Sequence, residues 1–187
     1  MLEWILDIDR ELFLALNGLG SPYLDDIMIA ISNKYVWIPL YLYLIFRLYQ
    51  RFGVKFYWAV AVVLLVIVCT DQITANVFKP FFGRLRPCKD PSLEGFMTII
   101  GHCRGFYGFA SGHAANSMGL ACIIYLIEKS TFGRAMIVWS LVVAYSRIYL
   151  GVHYPTDIIV GLMLGAILAY LIYFLVYKTI QARAYLA

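Results

Sequence analysis

Long apolar runs constrain this chain more than anything else in it. Ile27–Phe46, Phe56–Phe78, Ser111–Ile127, Ala135–Leu150 and Pro155–Tyr177 each hold at most one charged residue. As helices, runs of this length cross, or nearly cross, a hydrocarbon layer about 30 Å thick. The whole chain is 63% hydrophobic and 14% charged, with mean hydropathy +0.78. A soluble domain sits near about 45–50% apolar and about 25% charged, so a water-soluble core is excluded. The expectation is an all-α, polytopic membrane helical bundle: one domain over residues 1–187, with about five transmembrane helices.

The N-terminal segment differs from these runs. Leu2, Ile5, Ile8, Leu12 and Leu16 recur at helical spacing, opposed by Glu3, Asp7, Arg10 and Glu11. That is too much charge for a span. It predicts an amphipathic interfacial helix within residues 1–20 that caps the bundle. Asn17-Gly18 and Ser21-Pro22 then break the chain, and Asp25-Asp26 can cap the first span. Met1 is followed by Leu2, Glu3 and Trp4, with no basic leader, which reads as no secretory signal. No lipidation motif is visible. The net charge of +4 is modest and sits at helix ends and in one loop. The expected partner is therefore the lipid bilayer, with no nucleic acid.

Residues 79–110 form the longest non-apolar stretch, rich in cations, prolines, glycines and phenylalanines. A loop this long in a compact protein is functional or disordered, and its aromatics argue for order. Five spans place it on the same face as the N-terminus and Ser146–Asp157. Lys/Arg residues number eight on that face and seven on the other, where Lys178 and Arg183 fall. With Lys79, Arg86 and Arg147 set aside as ligand-binding, five remain against seven, which points the second face to the cytoplasm. Cys88 and Cys103 flank the polar loop and can pair in an oxidising compartment; spacing leaves paired and free states both open. Cys69 and Cys122 lie in apolar runs as small hydrophobes.

Three polar clusters fall on the loop face: Lys79 with Arg86-Pro87, then Ser111-Gly112-His113 at a helix start, then Ser146-Arg147 through His153 to Asp157. Together they suit a phosphate. Lys79 brings a compact charge, while Arg86 and Arg147 bring planar forks that match phosphate oxygens. Ser111 is placed as an N-cap, so the N–H groups of Gly112 and His113 make an anion site. His153 precedes Pro155 by two residues and belongs to the loop. Asp157, in the next helix's first turn, can hold one ring nitrogen and free the other to attack phosphorus. His113 can protonate the leaving oxygen. Simpler readings remain for other groups. Asp71 reads as a hydrogen bond inside the bundle, with the neighbouring Gln72, Thr74 and Asn76 also turned inward. Arg84, Lys89, His102 and Arg104 read as loop solubility or headgroup contacts.

The pattern Lys79-x6-Arg86-Pro87, Ser111-Gly112-His113 and Ser146-Arg147-x5-His153-x3-Asp157 resembles the three-part signature of the type-2 phosphatidic acid phosphatase superfamily. That family includes lipid phosphate phosphatases, undecaprenyl-pyrophosphate phosphatases, lipid A phosphatases and vanadium haloperoxidases. The resemblance covers about Asp25 to Leu175. It implies a metal-independent helical-bundle enzyme with no cofactor. In it His153 is the nucleophile of a phosphohistidine intermediate, Asp157 its orienting partner and His113 the general acid. Lys79, Arg86, Ser111, Gly112 and Arg147 bind the phosphate. The second motif departs from the family's Pro-Ser-Gly-His in carrying Ala110, which removes a rigid helix entry but no reactive group.

The function this implies is hydrolysis of a lipid phosphate or pyrophosphate in a bacterial inner membrane, with the site on the periplasmic or extracellular face. Compact size, the amphipathic start and Asn17-Gly18 look like the bacitracin-resistance type, making undecaprenyl pyrophosphate the expected substrate. Lipid A 1-phosphatase and phosphatidylglycerophosphate or phosphatidate phosphatase are the alternatives. A haloperoxidase fits poorly, since those enzymes resemble larger soluble proteins. A non-enzymatic lipid-binding or transport bundle would be favoured by loss of His113, His153 or Asp157, and all three are present.

Overall fold

The computed structural model describes residues 2–179, with side chains from Trp4 onward; Arg183, counted above among the cations, lies outside the described residues. Among the described residues every regular element is helical, apart from one isolated bridge between Leu85 and Tyr107. Helix α1 spans Leu2–Asn17. Helix α2, Pro22–Ser32, begins with proline in its first turn, where a missing N–H costs nothing.

The single helix expected over Ile27–Phe46 is broken. α2 stops at Asn33, whose side chain instead accepts the Tyr35 N–H at 3.0 Å and starts a 3₁₀ turn, Lys34–Trp37. Asparagine competes for backbone hydrogen bonds in this way, and the apolar count does not register it. Helix α3, Ile38–Phe52, follows and ends at Gly53, which takes φ 55°. Helix α4, Phe56–Gln72, runs on through a π-helical turn, Ile73–Phe78, into the single turn α5, Lys79–Phe82. Beyond the loop come α6, Gly112–Glu128, and α7, Thr131–Tyr149, whose N-cap Ser130 accepts the Gly133 N–H at 3.1 Å. Helix α8, Pro155–Ile172, closes with a second π-helical turn, Tyr173–Tyr177. Lys34–Phe82 and Pro155–Tyr177 are long and apolar enough to cross a membrane.

Helix α6 is the centre of the bundle, and most of its residues are buried between α4, α7 and α8. Its close approach to α8 is made by small residues. A side chain at Gly161 would stand 2.6 Å from the Ser111 carbonyl oxygen, and one at Gly165 would overlap the Ala115 carbonyl. Small residues let helix backbones approach where apolar burial alone gives no preference, as in lipid. One core cluster, with Leu44, Leu48, Val66, Ile123, Ile124 and Met136, fills the half near the α6–α7 turn. There Arg47 pairs with Glu128 at 2.8 Å. A second cluster fills the other half, where Phe13 of α1 packs with Leu93, Ala144, Ile148 and Tyr154.

Asn17 fastens the end of α1 to this second half. Its side-chain amide donates to the carbonyls of Thr98 (3.0 Å), Ile148 (3.3 Å) and Tyr149 (2.9 Å), and its oxygen accepts the Thr98 N–H (2.9 Å). The inward orientation expected for the polar end of α4 holds only in part. Thr70 and Thr74 are buried, each bonding back to its own helix, whereas Asp71, Gln72 and Asn76 are exposed. Hydropathy registers that polar groups are present but not the direction in which each leaves the helix.

Candidate active site

His153 sits in the short α7–α8 connection and is 1% exposed. Pro155 begins α8, which keeps the two preceding residues out of the helix. Asp157, one turn in, folds its carboxylate back over the helix start. Its Oδ2 accepts the Tyr154 N–H at 3.1 Å and lies 3.1 Å from His153 Nδ1. An ionised carboxylate only accepts, so Nδ1 carries the proton and Nε2 carries the lone pair. Arg86 Nη1 meets that nitrogen at 3.0 Å and also donates to the Val152 carbonyl at 3.2 Å. Burial, together with the charges of Arg86, Arg147 and Lys79, holds the His153 imidazole well below its usual pKa. The ring is therefore neutral at pH 7 and presents Nε2 toward the cations.

The loop brings Arg86 to this position by pairing with itself. The Arg86 N–H donates to the Phe106 carbonyl at 2.9 Å, and the Gly108 N–H donates to the Arg84 carbonyl at 2.9 Å. Cys88 and Cys103 are joined as a disulfide across the same hairpin, Cα to Cα 6.2 Å. Gly108 permits the closest approach: a Cβ there would lie 2.9 Å from Asp157 Oδ2 and 3.3 Å from Arg86 Cγ. The Ser111 N–H donates to the Asp157 carbonyl at 3.0 Å, tying the start of α6 to the start of α8.

Ser111 occupies the N-cap position of α6 without its side chain capping the helix. Its hydroxyl is fully buried and has no partner. The Nε atoms of Arg86 and Arg147 are likewise buried and unpartnered. Arg147 bonds through Nη1 to Ser32, at the break after α2. His113, on the first turn of α6, is exposed, and Arg147, Arg86 and Lys79 stand within electrostatic reach of it. Unpaired donors converging beside a lone pair form a pocket for an anion rather than a finished polar core. Among the described residues no group of three His, Cys, Asp or Glu is placed to hold a metal ion.

Residues 56–181 match the PAP2 superfamily, well over half of the chain. The chain belongs to the PAP2 superfamily. Among similar proteins, a lipid A 4′-phosphatase of Porphyromonas gingivalis is 39% identical over 92% of this chain and 74% of its own length. An undecaprenyl-diphosphatase of Sulfolobus acidocaldarius is 30% identical over 90% of this chain and 79% of its own length. The fold is shared with a transmembrane PAP2-type phosphatidylglycerolphosphate phosphatase of Bacillus subtilis, with a TM-score of 0.73 at 23% identity over 93% of this chain and 87% of that one. The protein is thus a membrane lipid phosphatase of the PAP2 fold.

The structure brings the three polar clusters to one end of the bundle, where Lys79, Arg86, Arg147, His113 and His153 lie within electrostatic reach of one another. It also gives Arg84 a place that its reading as a loop cation did not. Arg84 Nη1 lies 3.2 Å from Asp157 Oδ1, and its Nη2 lies 2.6 Å from Asp9 Oδ2. Asp9, on α1, accepts both the N–H (2.8 Å) and the hydroxyl (2.6 Å) of Thr156. The guanidinium stacks over the Tyr154 ring, 4.0 Å from its centroid. Behind His153 there is therefore a second rank: Asp157, then Arg84, then Asp9 and Thr156. Asp9 and Arg84 are 75 residues apart, and nothing in their local sequence separates them from other surface charges. Burial of a lone carboxylate at Asp9 was the missed signal, and it is visible only in the fold. His102, Lys89 and Arg104 stay in the outer loop and do not join this rank.

Proposed function

We propose that this PAP2 phosphatase removes a phosphomonoester from the sugar of a lipid A-type glycolipid through a phosphohistidine. His153 Nε2 attacks phosphorus and the bond from phosphorus to the sugar oxygen breaks; His113, which enters this step as an imidazolium because the bound phosphate offsets the surrounding cations, gives that oxygen its proton. Water then attacks the phosphohistidine with His113 as base. Inorganic phosphate leaves and His153 returns neutral. Lys79, Arg86, Arg147, Ser111 and the Gly112 N–H take up the charge on the phosphoryl oxygens. The observation that carries this reading is the hydrogen-bonded order Asp157–His153–Arg86, which fixes a neutral, deprotonated nitrogen against a phosphate-binding fork. The higher identity to the lipid A 4′-phosphatase supports that substrate over undecaprenyl pyrophosphate, the reading first suggested by the sequence.

The site works without a metal in this proposal, because three cations already supply the positive charge that a metal would bring. Five crossings are inferred: α2 with α3 as one broken span, then α4, α6, α7 and α8, with α1 lying at the interface. The Cys88–Cys103 bridge supports an oxidising, periplasmic location for the loop face. The test is a panel of lipid A, undecaprenyl pyrophosphate, phosphatidylglycerophosphate and phosphatidate, assayed for phosphate release in detergent with EDTA. Lipid A is expected to give the highest kcat/KM. Faster turnover of undecaprenyl pyrophosphate overturns the substrate, and activity that disappears with EDTA and returns with a divalent ion overturns the metal-free step.

A further inference from the structure

A polar strip on the outside of α4 takes no part in the chemistry above. Asp71, Gln72 and Asn76 are exposed on the same stretch as the exposed apolar Val68 and Val77. That stretch lies within Lys34–Phe82, which is apolar enough to cross a membrane. Carboxylate and amide groups on such a surface are costly unless they meet a polar partner. The chain supplies little for them. Asn76 Nδ2 donates to Gln72 Oε1 at 2.6 Å, and Asn116 Nδ2, on α6, lies 3.4 Å from Asp71 Oδ1. Asn116 Oδ1 accepts the Thr70 hydroxyl at 2.6 Å, and three amides and a carboxylate still hold more donor and acceptor positions than these three contacts use.

The strip adjoins the phosphate cradle. Asn76 and Lys79 line one cavity of about 590 Å³, together with Arg86, Arg104, Phe106 and Tyr107. Asn116 stands one helical turn after His113 on α6. The π-helical turn Ile73–Phe78 lies between Gln72 and Lys79, and such turns recur at functional sites. A group bonded to a phosphate held by Lys79 and Arg86 has Asn76, one end of the strip, beside it.

We propose that Asp71, Gln72, Asn76 and Asn116 form a headgroup subsite that hydrogen-bonds the ring hydroxyls of a phosphorylated sugar lipid. This rests on the phosphatase reading and names the part of the substrate that the strip recognises. Amides donate and accept, and a carboxylate accepts, which matches hydroxyls that themselves do both. A second phosphate would meet repulsion from Asp71. A polyprenyl chain, without hydroxyls, would leave the remaining donor and acceptor positions of these groups unmatched against hydrocarbon.

The test compares the whole protein with the double variant Gln72→Leu/Asn76→Leu, purified in detergent. For each, kcat/KM is measured on lipid A and on dioleoyl phosphatidate, whose headgroup carries no free hydroxyl. The ratio of the two is expected to fall by about tenfold in the variant, the scale of one or two lost hydrogen bonds. An unchanged ratio overturns the subsite, including the case in which both rates fall together. The wild-type ratio separately tests the lipid A reading. A second measurement needs no turnover: thermal-shift titration with glucosamine 4-phosphate and with inorganic phosphate. Wild type is expected to bind the sugar phosphate about tenfold more tightly than phosphate, and the variant to bind both alike. Equal binding by the wild type overturns the proposal even if lipid A is not the substrate.

Discussion

The two sides of the His153 ring are built differently. Behind Nδ1, every charged group is paired: Asp157 with His153, Tyr154 and Arg84, then Arg84 with Asp9, and Asp9 with Thr156. In front of Nε2, Ser111 Oγ and the Nε atoms of Arg86 and Arg147 are buried and unpaired. The closed side contributes stability and fixes the ring. The open side leaves desolvated donors unsatisfied, which lowers stability until an anion arrives. In the proposed mechanism one half of the site serves the fold and the other serves the ligand, and the boundary is a single imidazole.

The sharpest way to break this contrast is to remove the boundary. His153→Ala is expected to lower kcat by at least about 10³-fold, because the attacking nitrogen goes with it. Single-turnover trapping should label His153 in the wild type, and near-normal activity in the variant would refute the nucleophile. Next in size is Asp157→Asn, which can hold the opposite tautomer and leave Nε2 protonated. A fall of about 10²-fold or more in kcat is expected, with KM little changed.

Arg84→Met tests whether the second rank reaches the chemistry. It leaves Asp9 and Asp157, 2% and 0% exposed at their side chains, without their shared cation. The expected cost is about 3 kcal/mol in stability. A fall of about tenfold in kcat should accompany it through looser holding of the ring. Arg84→Lys should recover part of both, and a purely structural role would lower the melting temperature and leave kcat of the folded fraction unchanged. On the open side the sign reverses. Ser111→Ala removes a buried hydroxyl with no partner, so stability should hold or rise by up to about 1 kcal/mol while KM for substrate rises several-fold. A destabilised Ser111→Ala would show that the front of the ring is not left open.

The smallest effect is on the pH dependence of stability. The folded imidazole of His153 has a depressed pKa, whereas the unfolded one titrates near about 6.5. Below that pH the unfolded chain takes up a proton that the folded chain does not, so His153 costs stability as the pH falls. His153→Gln should therefore flatten the loss of melting temperature between pH 7 and pH 5 by a few degrees.

Much of this could be read from the sequence, and what escaped has a common cause. Apolar runs mark helices, and the spacing Lys79-x6-Arg86, Ser111-Gly112-His113 and Arg147-x5-His153-x3-Asp157 marks the proposed phosphate site, because those groups lie close to one another along the chain or at helix ends. Asn33 breaks a run that hydropathy reads as continuous, since one side chain's competition for a backbone N–H leaves the average unchanged. Arg84 and Asp9 escaped because their meaning is their pairing, and pairing across 75 residues leaves no local mark. The sequence turns Asp71, Gln72 and Asn76 inward, but the structure exposes them, because the π-helical turn and the packing of α4 on α6 set which way each faces.

The placement of α1 also governs when the site can come into being. Asp9 and Asn17 are made well before their partners: Asp9 pairs with Arg84 and Thr156, and Asn17 with Thr98, Ile148 and Tyr149. During synthesis, α1 cannot complete these pairs until Thr156 has emerged. A chain interrupted before α8 lacks the nucleophile's carboxylate and leaves Asp9 without Thr156. Assembly of the helices and ripening of the catalytic centre are thus a single late event.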